Sequence, residues 1–305
     1  MRIRLKSFTT EINCLILDSQ NNKFHQFISS EKQLFFNKMA IITLTSDYGN
    51  KDYFTGAIKG AIVSEAPDTQ IIDISHEISP FNIQEAAYIL KNAYHHFPEG
   101  SIHMIGIDAE AGPNKFHIAC KLNGHFFIGA DSGIFSLMFP EIKAEQIVAL
   151  NIAQEFDSIT FPMKDVFVKA ACHISRGGTL GVIGRHLSQF KEVKNFQPTL
   201  STDRKILAGQ VIYIDRYGNI VTNITQKQFS EVQAGRPFEI KLPRRYTINT
   251  IEKSYGRVME SEKLAIFNSA GHLEIAINKA DNNHINGASR LLGIGVKDSI
   301  SIEFK

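Results

Sequence analysis

Apolar and polar positions between residues 39 and 190 follow two alternating rhythms. IITLTSD (41–47), QIIDIS (70–75) and SIHMIGID (101–108) are short apolar runs of strand character. Between them lie FTGAIKGAIVSEAP (54–67) and NIQEAAYILKNAYHHFPEG (82–100), which have helical spacing. In the second, Ile83, Ala86, Ala87, Leu90 and Ala93 make one apolar face, and Asn82 with Glu85 three residues on predicts a capped start. This alternation predicts βαβ crossovers and an α/β domain over 39–190 built on a mostly parallel sheet. FHIACKLN and HFFIGAD meet at Asn123-Gly124, which predicts a hairpin added to that sheet. A helix over 165–175, stopped by Gly177-Gly178, follows.

Beyond residue 190 the rhythm changes. QVIYIDRYGNIVTNIT, RPFEIKLP, YTINTI, KLAIFNSAGHLEIAIN and DSISIEFK are short strands punctuated by Gly, Asn or Pro. They predict a second, all-β domain over 205–305, a small β-barrel, with 191–205 as the polar linker. Residues 1–38 carry a short apolar patch without a signal-peptide core or a small-residue cleavage site. They are expected to be an extension of uncertain order, with Met39 as an alternative start.

Composition narrows the function classes. With 43% hydrophobic and 21% charged residues, the 305-residue chain is of the soluble globular class rather than disordered or fibrous. Six of the 33 basic and three of the 31 acidic residues fall within 1–38, leaving 27 against 28 in the body. A body this balanced lacks the basic stripe that phosphate-backbone binding requires, so no nucleic-acid partner is expected. No apolar run reaches the roughly 18 to 20 residues of a membrane span. Cys14, Cys120 and Cys172 are far apart with no metal-ligand spacing, which fits a reducing cytoplasm and neither a zinc site nor a disulfide framework.

Candidate chemistry begins at TSDYGNKDY (45–53), where a buried strand opens into a loop bearing Asp47 and Asp52. Strand carboxyl ends are where open α/β sheets bind ligands, although loop carboxylates also cap helices. The chain contains no GxxxxGK(S/T) phosphate loop, no GxGxxG after the first strand and no GxSxG elbow. Nucleotide triphosphatase, ordinary dinucleotide-binding and serine hydrolase readings therefore lack support. His95-His96 reads as a solvated helix end.

A set of blocks in fixed order carries a resemblance: TLTSDYGNKDYFTGAIKG, IIDISHEISPFNIQEAA, FPEGSIHMIGID, FFIGADSGIFS, VIYIDRYGNIVTNI and FNSAGHLEIA. From about Met39 to the end, the chain resembles the S-adenosylmethionine hydroxide adenosyltransferases (S-adenosylmethionine hydrolases), relatives of the fluorinase and chlorinase. The resemblance implies an α/β domain followed by a β-barrel, a homotrimer with sites between subunits, and S-adenosylmethionine as substrate or ligand. It implies no metal or second cofactor. By position, Asp47 would hold the ribose hydroxyls and Asp52 would lie near the methionine ammonium. Asp215 and Asn219 would meet the amino-acid end and the adenine, Ser269 the methionine moiety, and Phe81 the face of the ligand. These residue types suit those tasks, since a carboxylate accepts from a diol or an ammonium and an amide both donates and accepts.

The reaction-side blocks depart from the family. The hydrolases are thought to activate water with an Asp, an Arg and a His; here DAEAGPNK keeps the Asp as Asp108 and puts Lys115 at the Arg position. TFPMKD puts Pro162 in place of the His and Met163 in place of a small residue. Lysine keeps the charge but not the fork of arginine, and proline transfers no proton. Met163 fills space bordering the halide pocket of the halogenases, so halide transfer is not expected. Asp108, with Lys115 or Lys164 setting its charge and Glu110 as a possible second carboxylate, remains the candidate for directing water. The alternative is a protein that binds S-adenosylmethionine or adenosine without turnover.

Overall fold

Strand β1 (Ile41–Ser46) is buried at five of its six positions and lies inside the first sheet of a computed structural model. The structure describes residues 39–113, 115–152, 160–194, 196–280 and 286–305, and the backbone alone at Arg244. The expectation for 1–38 lies outside the described residues.

β1 pairs in parallel with β2 (Gln70–Ser75) on one side and β3 (Ile102–Gly106) on the other. The crossovers are α1 (Phe54–Glu65) and α2 (Ile83–Ala93). The α2 cap forms as its sequence predicts: Asn82 Oδ1 accepts the Glu85 N–H at 3.2 Å, and Ala86, Ala87 and Leu90 are buried. β4 (His117–Leu122) and β5 (His125–Ala130) make the predicted hairpin, with Asn123 and Gly124 at φ of 50° and 75°, the signs that a tight two-residue turn requires.

β5 joins β3 in parallel, but the other half of the sheet is antiparallel. After α3 (Ile134–Met138), β6 (Gln146–Leu150) pairs with β4. A π turn at Met163–Phe167 leads into α4 (Val168–Ser175), and α5 (Leu180–Ile183) precedes β7 (Gly184–His186) at the edge. The order β2-β1-β3-β5-β4-β6-β7 thus has three parallel pairings followed by three antiparallel ones, a mixed sheet in which every crossover-linked strand is on the parallel side.

In the second half every pairing between named strands is antiparallel. β8 (Thr199–Leu200) leads to the long β9 (Ile206–Ile214), which returns as β10 (Ile220–Thr225). Helix α6 (Gln226–Gln233) carries a complete capping box, Thr225 with Gln228. β11 (Phe238–Lys241), β12 (Thr247–Ile248), β13 (Lys263–Phe267) and β14 (His272–Ile277) follow, then α7 (Ala288–Leu292) and β15 (Ser299–Phe304). The strand order is β12-β11-β15-β9-β10-β14-β13. The Glu252 N–H donates to the Ala265 carbonyl at 2.8 Å, which brings the chain after β12 beside β13 and nearly closes the sheet into a barrel around Ile220, Ile240, Leu273, Ile275 and Ile302. Among the described residues no helix is long and apolar enough to cross a membrane.

A polar chain crosses the apolar interior of the first sheet. Thr43 Oγ1 meets His103 Nδ1 at 2.7 Å, and His103 Nε2 meets His125 Nδ1 at 3.1 Å. Burial, with the neighbouring His125, pushes the His103 pKa down to about 3. An unfolded chain binds this proton near pH 6.5, so the folded state loses stability as pH falls below that value. Between pH 6.5 and 5 the loss at this one site is expected to be on the order of 2 kcal/mol. Denaturant unfolding of wild type and His103→Phe across this range should show the difference between them shrinking by that order as pH falls; a constant difference would refute the assignment.

Candidate functional site

The loops that follow β1, β2 and β3 converge at one end of the parallel strands. Asp47 comes directly after β1 and is half-buried; its Oδ2 accepts the Phe81 N–H at 2.8 Å, tying the first loop to the segment after β2. Burial raises the Asp47 pKa above the usual carboxylate value, and the charge of Asp108 adds to the rise, while the Phe81 and Asp47 backbone amides oppose it. Phe81 sits at φ 62° with its ring 74% exposed. A bulky residue in that region is strained, which costs about 1–3 kcal/mol and is held by its surroundings.

Asp108, two residues beyond β3, also has positive φ, 47°. Its Oδ1 accepts from Lys115 Nζ at 2.7 Å, and the same ammonium reaches the Asp108 carbonyl at 3.1 Å. Gly112 and Lys115 exchange two backbone hydrogen bonds that close the loop, and His117 Nε2 lies 2.8 Å from the Ala109 carbonyl oxygen. Asp47, Phe81, Asp108 and Lys115 are therefore brought together. Asp52 is exposed in the turn before α1, with no hydrogen bond or ion pair among the described residues.

The floor beneath these loops is apolar. Met163 is fully buried, and a Cβ on Gly106 would come within 2.4 Å of its Sδ and 3.2 Å of the Tyr48 hydroxyl. Tyr48 packs on Phe54 and edge-on to Phe161, with ring centroids 5.5 and 5.7 Å apart. Pro162 caps the π turn, and Lys164 pairs with its neighbour Asp165 rather than with Asp108.

A second cluster lies in the barrel. Asp215 follows β9; its Oδ1 accepts the N–H groups of Tyr217 and Asn219 at 2.9 and 2.8 Å, and its Oδ2 accepts from Asn219 Nδ2 at 2.9 Å. Gly218, at φ 82°, completes the turn. Ser269, in the turn between β13 and β14, shares with Asp215 a cleft of about 370 Å³ walled by Tyr88, Tyr213, Tyr255 and Glu274. Tyr88 comes from α2 and stacks on Tyr213 at 4.8 Å. Glu274 accepts from the Tyr255 hydroxyl at 2.7 Å and from Asn268 Nδ2 at 3.1 Å, and burial raises its pKa. Sequence reasoning missed Glu274 and the three tyrosines; the signal for Glu274 is a lone carboxylate in the apolar run LEIAI. Among the described residues no hydrogen bond or ion pair joins the Asp47–Asp108 set to the Asp215–Asn219–Ser269 set.

Comparison with known proteins identifies the frame that carries both clusters. Residues 42–184 match the SAM hydroxide adenosyltransferase N-terminal domain, and residues 209–301 match the C-terminal domain of the same family. The (R)-S-adenosyl-L-methionine hydrolase of Methanocaldococcus jannaschii is 31% identical over 271 residues, covering 86% of this chain and 95% of that protein. The chain belongs to the SAM hydroxide adenosyltransferase family. A second (R)-S-adenosyl-L-methionine hydrolase, from Thermus thermophilus, is 26% identical over 79% of the chain and 93% of its own length. A fluorinase of an Actinoplanes species is 22% identical over 68% of the chain and 78% of its own length. The crystal structure of an uncharacterized conserved protein from Thermotoga maritima superposes with a TM-score of 0.76 at 28% identity, over 86% of this chain and 99% of that one. The hydroxide adenosyltransferase frame thus includes both the loop cluster on the mixed sheet and the cleft in the barrel.

Gly106 and Met163 make a testable pair in this member of the family. Gly106→Ala should destabilise the fold by about 1–3 kcal/mol, because the new methyl group overlaps Met163 Sδ. In a Met163→Ala background the same substitution should cost much less. Equal costs in both backgrounds, read from denaturant midpoints, would show that the packing is not as described.

Proposed function

We propose that this protein hydrolyses S-adenosylmethionine to adenosine and methionine, taking the (R)-sulfonium epimer that its hydrolase relatives' names specify. A water oxygen attacks ribose C5′, the C5′–S bond breaks with its electron pair going to sulfur, and methionine leaves as a neutral thioether. The proton lost by water passes to Asp108 or to solvent. Because sulfur needs no proton to leave, catalysis rests on aligning and desolvating the nucleophile. The observation that carries this reading is the meeting of Asp47 and Asp108 at one sheet end, with Lys115 2.7 Å from Asp108.

In this reading Asp47 accepts the ribose hydroxyls, Phe81 covers the ligand, and Asp108, steered by Lys115, stands nearest the reacting water. Asp215, Asn219 and Ser269 hold the adenine and amino-acid ends, and Asp52 adds charge near the ammonium. The two clusters belong to one site if neighbouring copies of the chain in a cytoplasmic homotrimer bring a loop cluster against a barrel cleft. No metal or second cofactor is needed. Met163, which stands where the halogenases carry a small residue, is fully buried beside Gly106 and Tyr48, and water rather than halide is taken as the acceptor.

A second reading, binding without turnover, draws on Pro162, which supplies no proton carrier where the family's histidine stands. Chromatography of the protein incubated with each sulfonium epimer separates the two. Adenosine and methionine should accumulate from the (R) epimer and fall at least tenfold with Asp108→Asn; intact ligand recovered from wild type would establish the binder. Asp47→Ala should weaken ligand affinity by roughly tenfold or more, since a charged acceptor for the diol is lost. Unchanged affinity by calorimetry would remove Asp47 from the ribose site.

A further inference from the structure

The Asp47 loop is fastened by one residue from both sides. His76, just past β2 and 3% exposed, accepts the Gly49 N–H on its carbonyl at 2.8 Å, and its Nδ1 lies 2.6 Å from Ser46 Oγ. On the far side of the ring, Nε2 lies 3.2 Å from Asp73 Oδ1, a charge contact outside hydrogen-bond geometry, and Asp73 Oδ2 accepts from Lys59 Nζ at 2.5 Å. Asn50 Nδ2 donates to Glu77 Oε1 at 2.7 Å, adding a tie between the same two segments. Five residues after His76, the Phe81 amide reaches Asp47 itself.

The bonds have a direction. The Asp73 carboxylate favours hydrogen on His76 Nε2, which leaves Nδ1 as an acceptor. The Ser46 hydroxyl then donates to Nδ1, and its lone pairs face the Tyr48 N–H, 3.4 Å away. Lys59 on α1 fixes Asp73, Asp73 fixes the imidazole tautomer, and the imidazole fixes the hydroxyl that precedes Asp47. A buried ring would be accommodated more simply by an apolar side chain if space-filling were all that position required. None of these four groups is oriented toward a ligand by a contact of its own; each acts on the next, and the chain ends at the backbone on both sides of Asp47.

We infer that Lys59, Asp73, His76 and Ser46 form a positioning relay that holds the Asp47 carboxylate in the orientation required to accept the hydroxyls of a ribose, with His76 as its central residue. The inference rests on the proposed S-adenosylmethionine site. Because the relay acts on binding geometry, its loss raises Kd and KM and leaves kcat nearly unchanged.

The test is a double-mutant cycle by calorimetry with (R)-S-adenosylmethionine on wild type, His76→Leu, Asp47→Asn and the double variant. His76→Leu should weaken binding about tenfold in the wild-type background and hardly at all when Asp47 is already Asn. His76→Asn, which puts an amide atom where Nδ1 stood, should recover most of the affinity. Wild-type affinity in His76→Leu, or an equal loss in both backgrounds, overturns the relay. If His76→Leu does not fold, Asp73→Asn at the half-exposed end of the relay serves in the same cycle with the same expectations. If wild type binds neither epimer, the substrate reading fails on its own. The relay is then judged by hydrogen exchange at the Phe81 amide, which Asp47 protects: His76→Leu must accelerate it, and an unchanged rate overturns the inference.

Discussion

Two carboxylates placed at one end of a buried sheet repel each other, and much of the surrounding structure is arranged to offset that repulsion. Asp47 is half out of water, and Asp108 is close enough for its charge to make ionisation of Asp47 harder. Each is given its own partner: a backbone N–H for Asp47 and an ammonium for Asp108. Both arrangements require the chain to turn left-handed, at Phe81 and at Asp108 themselves. That strain is borne by rigid neighbours. Helix α2 starts two residues after Phe81 with a formed cap, and β4 starts two residues after Lys115, locked to β5 by a tight turn.

The barrel cluster solves a similar problem differently. Asp215 satisfies its carboxylate within its own turn, and Asn219 spends its amide nitrogen on it. This makes the DRYGN turn a stiff unit, so a ligand arriving there meets fixed dipoles rather than mobile side chains. Glu274 is the more demanding case, a carboxylate only 3% exposed and close enough to Asp215 to feel its charge. The Tyr255 hydroxyl and Asn268 amide meet its two oxygens, which is why the aromatic wall of this cleft is tyrosine rather than phenylalanine at position 255. α2 serves both clusters: its start abuts Phe81, and Tyr88 on its surface stacks on the barrel.

What was legible in the sequence follows from how local each signal is. The Asn123-Gly124 turn, the Asn82 cap and the apolar face of α2 depend on a few adjacent residues, and they form as read. The antiparallel half of the first sheet was less legible, since β6 and β7 are short runs whose partners, β4 and β6 respectively, are distant in sequence. The helix expected over 165–175 is a π turn followed by α4, because a Pro162 cap sets the first turn and Val168 N–H bonds back to the Met163 carbonyl. Whether Lys115 or Lys164 would meet Asp108 was not legible, because the choice is made by how the loop folds back: Lys115 reaches Asp108, and Lys164 pairs with Asp165. Glu274, His76 and the tyrosines were not singled out, because their roles exist only once separate elements meet: β13 with β14, the β1 loop with the β2 loop, and α2 with β9.

The proposed hydrolysis does not depend on a proton carrier at position 162, where this chain has proline. A sulfonium leaving group becomes neutral as it departs, so no acid is required, and the attacking water needs alignment and a nearby acceptor. Under the proposed reading Asp108, held at 2.7 Å by Lys115, is that acceptor, and Met163, Phe161 and Tyr48 line an apolar floor below the loops. A lysine holds that carboxylate through one ammonium rather than a planar fork, leaving its second oxygen unclaimed by the pair. Under the proposed reading, that second oxygen is where the water is received, and aligning it falls to one carboxylate and the geometry of the loop that carries it.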